Sequence, residues 1–170
     1  VEVAIAAAEA ISKYKKDKDA AEALVTTAGG RKEKDVIVKC LRYAGDTEFR
    51  AIAGKLAGFL RHRDVEIVHE AVDSFAKLKA KDGIDPLLNL WKELDGIQDN
   101  VKNNENDGGL GATIGGSLTN SMQDDQVKRK NELTPAVMTA FEKCTGESPK
   151  TMKEANDWWR KSKATFKEVQ

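Results

Sequence analysis

Residues 64–79 read DVEIVHEAVDSFAKLK, and this stretch decides the fold class. Its apolar residues recur at steps of three and four, so they lie on one side of a helix. They are Val65, Val68, Ala71, Val72, Phe75 and Leu78, and the opposite side carries Glu66, Glu70, Asp73 and Lys77. Asp64 is a good N-cap, because its carboxylate can accept the free N–H groups of the first turn. The stretch therefore predicts an amphipathic helix that begins after Asp64.

The preceding residues, 47–60, follow the same plan. Their apolar stripe is Phe49, Ile52, Ala53, Leu56, Phe59 and Leu60. Small residues surround the stripe, namely Ala51, Gly54, Ala57 and Gly58. A Gly inside a helix costs about 1 kcal/mol relative to Ala, so we expect a neighbouring helix to approach closely here and offset that cost.

Three further helices are predicted in the first part of the chain. The first turns Val3, Ala7, Ala10, Ile11 and Tyr14 inward. The second runs from Asp19 to Ala28 and ends at the pair Gly29-Gly30, a common C-terminal signal. The third runs from about Asp35 to Ala44, with an inward stripe of Val36, Ile37, Cys40, Leu41 and Ala44.

The three prolines each follow a capping residue, in Asp85-Pro86, Thr134-Pro135 and Ser148-Pro149. Proline is favoured at the first position of a helix, where its missing N–H costs nothing. We therefore expect helices to begin near residues 86, 135 and 149. In the last of them Trp159 points inward with Ala155 and Phe166, and Trp158 either packs on a neighbouring helix or forms a partly exposed anchor.

The residues 103–121 are rich in Asn and Gly and show little periodicity. They predict a flexible inserted loop, at about 97–122, in a single domain that spans 1–170. No segment alternates apolar and polar residues between turn signals, so no sheet is expected. The sequence predicts an all-α protein of stacked antiparallel helix pairs.

The composition argues against several classes of protein. The formal net charge is +0, which argues against nucleic-acid binding, although the residues 127–170 are locally basic. No run is apolar enough to span a membrane. The two cysteines, Cys40 and Cys144, are read as small buried apolar residues, with a disulfide left open. The chain begins at Val1, not Met, so an upstream segment is absent; if it was a signal peptide, we expect an exported protein of the periplasm or cell envelope.

Motifs that would indicate a catalytic, nucleotide-binding or metal-binding site are weak. The residues 111–117 are near phosphate-loop spacing but lack the Lys, and 103–108 resemble half of a calcium loop whose twelfth position is Ile114. His69 lies between Glu66 and Asp73, as expected of a solvated helix face, and His62 falls in a turn. We predict no catalytic residue, no metal site and no cofactor.

Asp35-Val36 and Asp64-Val65 open two successive helix pairs with an offset of 29 residues. Residues 59–94, FLRHRDVEIVHEAVDSFAKLKAKDGIDPLLNLWKEL, resemble a HEAT repeat of the armadillo type in the Asp-Val opening, the Ala/Val inner face and the Ile-x-x-Leu-Leu second helix. The resemblance covers about residues 35–95, and the stretch WWRKSKATFK, 158–167, is similar to tails of bacterial HEAT-like proteins.

The resemblance implies a short right-handed α/α superhelix, or solenoid, that acts as a protein-interaction scaffold. Its concave face would be lined by the second helix of each pair and would bind a peptide or protein. Candidate partner contacts are Arg50, Lys55, Lys92 and Trp158. Two alternatives remain open: an enzyme or enzyme subunit with a substrate site in the helical cradle, and a weak nucleic-acid binder that uses the basic C-terminal helices. The sequence does not predict the oligomeric state.

Overall fold

The computed structural model describes residues 1–97 and 115–168, the side chains of 115–123 excepted. Within these ranges the chain is all-α and contains no strand, as predicted. The α-helices are α1 (Glu2–Ser12), α2 (Lys18–Gly30), α3 (Lys34–Asp46), α4 (Ala53–Leu56), α5 (Val65–Leu78), α6 (Ile84–Asp95), α7 (Gly115–Thr145) and α8 (Met152–Ser162). Short 3₁₀ helices span Arg50–Ile52, Ala57–Arg61 and Lys81–Gly83.

Helix α5 confirms the prediction made from residues 64–79. Asp64 Oδ1 accepts hydrogen bonds from the backbone N–H groups of Glu66 (3.0 Å) and Ile67 (3.4 Å), so it is the N-cap. The prediction is wrong for one residue of the polar side, Glu70, which is buried. Its carboxylate accepts three hydrogen bonds from the Arg42 guanidinium, the shortest at 2.6 Å, and this pairing compensates for the burial of its charge.

Helices that alternate along the chain pack side by side. Helix α1 packs on α3, α3 on α5, and α5 on α7. On the other side, α2 contacts the 3₁₀ helix at 50–52, the 3₁₀ helix at 57–61 contacts α6, and α6 contacts α8. The apolar core lies between these two sets of elements, and Leu24, Leu41, Leu56, Phe75, Leu87 and Phe141 are among its fully buried residues.

The first three helix pairs are evenly spaced along the chain. Helices α1, α3 and α5 begin at positions 2, 34 and 65, and the elements that follow them begin at positions 18, 50 and 81. The intervals between successive start positions are therefore the same in the two series. In each series the second interval is one position shorter than the first. The predicted offset of 29 is wrong, because it matched Asp35, which lies inside α3, with Asp64, which is the cap of α5.

Residues 47–60 do not form the single helix that was predicted. They contain a 3₁₀ turn, the short helix α4 and a second 3₁₀ helix, although Ile52, Ala53, Leu56 and Leu60 are buried as expected. No neighbour packs closely on the glycines, since a Cβ built on Gly54 or Gly58 would meet nothing within 4 Å. The poor helix propensity of glycine is therefore not offset by packing, and the helix is interrupted.

Of the three helix starts predicted near prolines, those near 86 and 149 are confirmed to within two and three positions, and the one near 135 is wrong. Helix α6 begins at Ile84, ahead of Pro86, and α8 begins at Met152, where Thr151 Oγ1 accepts from the backbone N–H of Glu154. Pro135 lies inside α7. It is exposed, so water can reach the carbonyl that its missing N–H leaves without a partner, while buried Leu133 and Val137 hold the helix in place.

Helix α7 begins at Gly115, so the predicted loop at about 97–122 is wrong for 115–122, whereas 98–114 lie outside the described residues. The face predicted for α1 is wrong too: Val3 and Tyr14 are 85% and 67% exposed, and Ala8 and Ser12 are buried instead. Because α1 is apolar on most sides, its periodicity does not specify which side faces the core.

The two cysteines are free and buried, as predicted, and no disulfide joins them. Burial raises the pKa of both thiols, that of Cys144 to about 12. Cys144 Sγ donates a hydrogen bond of 3.4 Å to the carbonyl of Phe75, which ties α7 to α5. Both residues therefore act as packing residues and not as reactive thiols.

Candidate functional site

A cleft of about 1020 Å³ opens where helices α3 and α5 end, beside the turn that follows α1. This volume is at the upper end of the range of about 300–1,000 Å³ that is typical of ligand sites. Three short segments line it, one from each of the first three helix pairs: Lys15 and Lys16; Gly45, Asp46, Glu48, Phe49, Arg50 and Ala51; and Lys77, Leu78 and Lys79.

Three residues of the cleft have a left-handed backbone. Lys16, Glu48 and Lys79 have φ angles of 57°, 59° and 50°, and they are the non-glycine residues with positive φ among those described. This conformation costs about 1–2 kcal/mol for a residue with a Cβ. Each residue follows an odd-numbered helix, so the strain recurs once in each pair. At Lys79 this conformation is the common left-handed ending of a helix, in which the Lys79 N–H donates to the carbonyl of Phe75.

Hydrogen bonds join the three segments. The backbone N–H of Lys16 donates to the carbonyl of Thr47 at 2.6 Å, and Lys15 Nζ donates to the carbonyl of Asp46. On the other side of the cleft, Lys77 Nζ lies 2.8 Å from Asp46 Oδ1. Asp46 therefore connects the turn after α1 to helix α5 and fixes the floor of the cleft.

The cleft is electropositive. Its side chains carry five positive charges and two negative charges; the cations are Lys15, Lys16, Arg50, Lys77 and Lys79, and the anions are Asp46 and Glu48. The C-terminal end of a helix acts as about −0.5 charge, so the three helices that end here contribute about −1.5. Glu168, which pairs with Arg50 at the cleft edge, adds a third negative charge, so the side-chain excess is about two positive charges and a small positive potential remains.

A carboxylate already binds at the edge of this cleft. Glu168 Oε2 accepts from Arg50 Nη1 at 2.9 Å, and Glu168 Oε1 accepts from the backbone N–H of Lys81 at 2.8 Å. The hydrogen bond from Lys81 and the ion pair with Arg50 lower the pKa of Glu168 against the opposing effect of its partial burial. The C-terminal tail thus returns to the second and third helix pairs.

The structure does not bring the four predicted partner contacts together. Arg50 lines the cleft, and Trp158 lines a separate pocket of about 210 Å³. Lys55 and Lys92 line neither. Lys55 Nζ pairs with Glu22 Oε1 at 3.0 Å between α4 and α2, and Lys92 is exposed on α6.

Trp158 packs within an aromatic cluster and remains half-buried. Its ring centroid lies 6.0 Å from that of Phe141 and 6.1 Å from that of Phe166, both edge-on. Trp159 points inward, as predicted, and its Nε1–H donates to Asp85 Oδ1 at 2.8 Å. Lys163 Nζ lies 2.7 Å from the other Asp85 oxygen. Trp158 therefore fits the packing alternative, with one part of its ring accessible in the small pocket.

Other candidate motifs do not form sites in the described part of the chain. His69 Nδ1 lies 3.4 Å from Asp73 Oδ2 on an open helix face, as predicted, and His62 Nδ1 accepts from the backbone N–H of Asp64. Among the described residues no three potential metal ligands come together. The calcium-like stretch at 103–108 lies outside those residues, whereas 115–117 of the phosphate-loop-like stretch belong to α7.

Arg50 is the one residue of the cleft lining that was predicted from the sequence as a contact. Lys16, Glu48 and Lys79 carry no signal for a left-handed backbone, because this conformation is favoured by Gly and Asn. Their even spacing along the chain, which matches that of the helix starts, is the signal that could have located them.

Comparison with known proteins gives no relative. No protein-family model matches the chain, and neither a curated protein nor a solved structure is significantly similar to it. In the described ranges, none of the helices has the length and apolar character that crossing a membrane requires.

Proposed function

We propose that this chain is a non-enzymatic interaction module that binds an acidic segment of a protein partner. The observation that carries the proposal is the cleft of about 1020 Å³ with its five cationic side chains. Lysine and arginine bind carboxylates through charge-assisted hydrogen bonds. Glu168, which pairs with Arg50 at the cleft edge, is an intramolecular example of such a contact.

The helical architecture belongs to the proposal as well. We regard the chain as a short right-handed superhelix of HEAT-like helix pairs. The side-by-side packing of α1, α3, α5 and α7 and the even spacing of the first three helix pairs support this arrangement. In such a stack each pair contributes one similar turn to a shared edge, as Lys16, Glu48 and Lys79 do.

A peptide is favoured over a nucleic acid because the cleft is not uniformly basic. Asp46 and Glu48 would repel a continuous phosphate backbone. Phe49 is partly exposed and adds apolar surface, which suits a segment that mixes acidic and apolar residues. The cleft lining contains no histidine, cysteine, serine or threonine among the described residues, so binding is better supported than catalysis by a hydroxyl or thiol nucleophile.

Fluorescence anisotropy tests this proposal with a labelled peptide of alternating Glu and Phe residues. We expect saturable binding to the wild-type chain, and binding about tenfold weaker or more in the double variant Lys15→Glu with Lys16→Glu. The matched control is Lys32→Glu with Lys92→Glu, which changes the net charge equally at exposed residues that do not line the cleft. The control should bind like the wild type.

Two results would reject the proposal. One is the absence of saturable peptide binding at low salt, where charged contacts are strongest. The other is tighter binding of a duplex DNA of equal charge that is also lost in the Lys15→Glu, Lys16→Glu variant, because the cleft would then be a nucleic-acid site.

A further inference from the structure

One face of α1 is apolar and uncovered. Among the described residues, the large apolar side chains that are strongly exposed are Val1, Val3 and Tyr14, and all three belong to α1 or its flanking residues. The smaller residues Ala6, Ala7 and Ala10 are exposed between them. Scattered single apolar residues are normal on a protein surface, whereas a contiguous apolar patch marks an interaction site.

The opposite face of α1 is already occupied. Ala8 and Ser12 are buried, and α1 packs on α2 and α3. In the row of odd-numbered helices, α3 and α5 each have an odd-numbered neighbour on both sides. In the described part of the chain α1 has such a neighbour, α3, on one side, so its exposed face is the open end of the row.

We infer that a second copy of this chain covers the face, with the two α1 helices antiparallel. Along α1 and the turn that follows it, the stripe reads large, small, small, large, in the order Val3, Ala7, Ala10, Tyr14. This order is unchanged by reversal. A two-fold axis between Ala7 and Ala10 therefore brings Val3 of one copy to Tyr14 of the other, and the two alanines meet in the middle. Such a self-complementary surface is what an isologous dimer requires.

The charges beside the stripe favour the same orientation. Glu2 and Lys13 are eleven positions apart, so at about 100° per residue they point in directions only about 20° apart around the helix. They lie on the same flank of the stripe, at its two ends. Antiparallel pairing brings Glu2 of each copy near Lys13 of the other, and it aligns the helix dipoles favourably. In a two-fold parallel pair the same flank of each helix lies on opposite sides of the seam, so Glu2 and Lys13 would not meet. Glu9 lies on the same flank near the two-fold axis of the antiparallel pair, so two pairs of opposite charge are set against one approach of Glu9 to its own copy.

The interface is small, and this sets the expected affinity. Helix α1 has 11 residues, which at about 1.5 Å per residue is a length of about 16 Å. One such helix pair falls at the low end of interface sizes, below about 1,200 Å². We therefore expect a reversible dimer with a dissociation constant in the micromolar range or weaker, on the order of 10⁻⁶–10⁻⁴ M.

Sedimentation velocity over a concentration series tests the dimer. The wild-type chain should shift from 18.7 kDa towards twice that mass as its concentration rises. Ala10→Glu should weaken association by about tenfold or more, because it buries a charge at the centre of the seam. Thermal melting followed by circular dichroism should show no loss of fold, since residue 10 is exposed.

A charge exchange and a cross-link test the orientation. Glu2→Lys and Lys13→Glu should each weaken the dimer, and the double variant should restore it. Oxidation should cross-link the double variant Val3→Cys with Tyr14→Cys between copies but leave the single Val3→Cys variant uncross-linked; the native cysteines are buried and do not interfere.

A monomer at every concentration would overturn the inference, and a different partner would then cover the face. A dimer that Ala10→Glu leaves unchanged would also overturn it, because the contact would lie elsewhere. Efficient cross-linking of the Val3→Cys single variant would contradict the antiparallel arrangement. None of these outcomes depends on peptide binding in the cleft.

Discussion

Gly45 of α3 lies so close to Ser74 of α5 that a Cβ on Gly45 would be 2.9 Å from the Ser74 Cα atom. The same place carries a buried hydrogen bond, because Ser74 Oγ lies 2.7 Å from the carbonyl of Leu41. Arg42 and Glu70 pair one turn away. The distance between the two helices is therefore set by a missing side chain and held by polar contacts.

We predict that Gly45→Ala destabilises the protein by up to about 2 kcal/mol. Alanine favours the helix by about 1 kcal/mol, but the added methyl group would contact the backbone of α5, and overpacking costs about 1–3 kcal/mol. Urea denaturation measures the free energy of unfolding. Gly54→Ala is the matched control, since a Cβ there has open space, and it should stabilise by up to about 1 kcal/mol. Stabilisation by Gly45→Ala would contradict the close packing.

Replacing Thr134 by valine should increase stability by about 1 kcal/mol. Thr134 Oγ1 is buried and has no hydrogen-bond partner, the one such side-chain atom in the described part of the chain. A buried polar group without a partner costs about 1–3 kcal/mol, and valine has nearly the same shape.

Thr145→Val is the control for this prediction. Thr145 Oγ1 bonds to the carbonyl of Phe141 at 2.8 Å and accepts from the backbone N–H of Glu147 at 3.1 Å. Its loss should destabilise by about 1 kcal/mol. Differential scanning calorimetry measures the Tm of both variants. Equal shifts in Tm would contradict the prediction, because the two hydroxyl groups would then contribute equally to stability.

The carboxylate of Asp85 should stabilise the fold above about pH 4 and stop doing so in acid. Partial burial alone would raise its pKa, but the hydrogen bonds from Lys163 and Trp159 outweigh this effect and lower the pKa. A lowered pKa means that the stabilisation is complete above the usual aspartate value of about 3.9 and is lost as the pH falls through the lower folded-state value.

Asp85→Asn tests this dependence. The side chain is half-exposed, so the variant should lose less than about 1 kcal/mol at about pH 7. The difference from the wild type should shrink as the pH falls below about 4. Tryptophan fluorescence reports unfolding, and a difference that grows in acid would contradict the assignment.

Glu48→Gly should both stabilise the protein and strengthen binding of the acidic peptide. Glycine adopts the left-handed backbone of residue 48 without the cost of about 1–2 kcal/mol that a Cβ brings. The change also removes a negative charge from the cleft. Glu48→Ala removes the charge and keeps the Cβ, so it should strengthen binding equally without the gain in stability. Chemical denaturation and anisotropy together separate the two effects.

The sequence was sufficient where a single residue controls local structure. Asp64 specified the start of α5, and the stripe from Val68 to Leu78 specified its buried face. Both signals are local, because the cap acts on the next three residues and the stripe has the period of the helix.

The sequence was insufficient where tertiary contacts decide. Pro135 marked a helix start that does not exist, because the buried face of α7 continues through it. The apolar stripe of α1 fitted a core position as well as an exposed one. The cleft depends on Lys16 and Lys79, which have a left-handed backbone. Glycine is the usual sequence signal for that conformation, and neither position carries one. Its charges meet only after segments from three successive helix pairs have been brought together.

Because the first three helix pairs are evenly spaced, duplicating the sequence of one pair could lengthen the row of helices. Residues 34–64 form one full period, from the start of α3 to the residue before α5. A tandem duplication of that block would preserve the phase of every later helix, since each odd-numbered helix would again begin one period after the one before it. It would also add another left-handed turn beside the cleft, with one cation, Arg50, and two anions, Asp46 and Glu48, so gene duplication would change the length of this edge and its charge together.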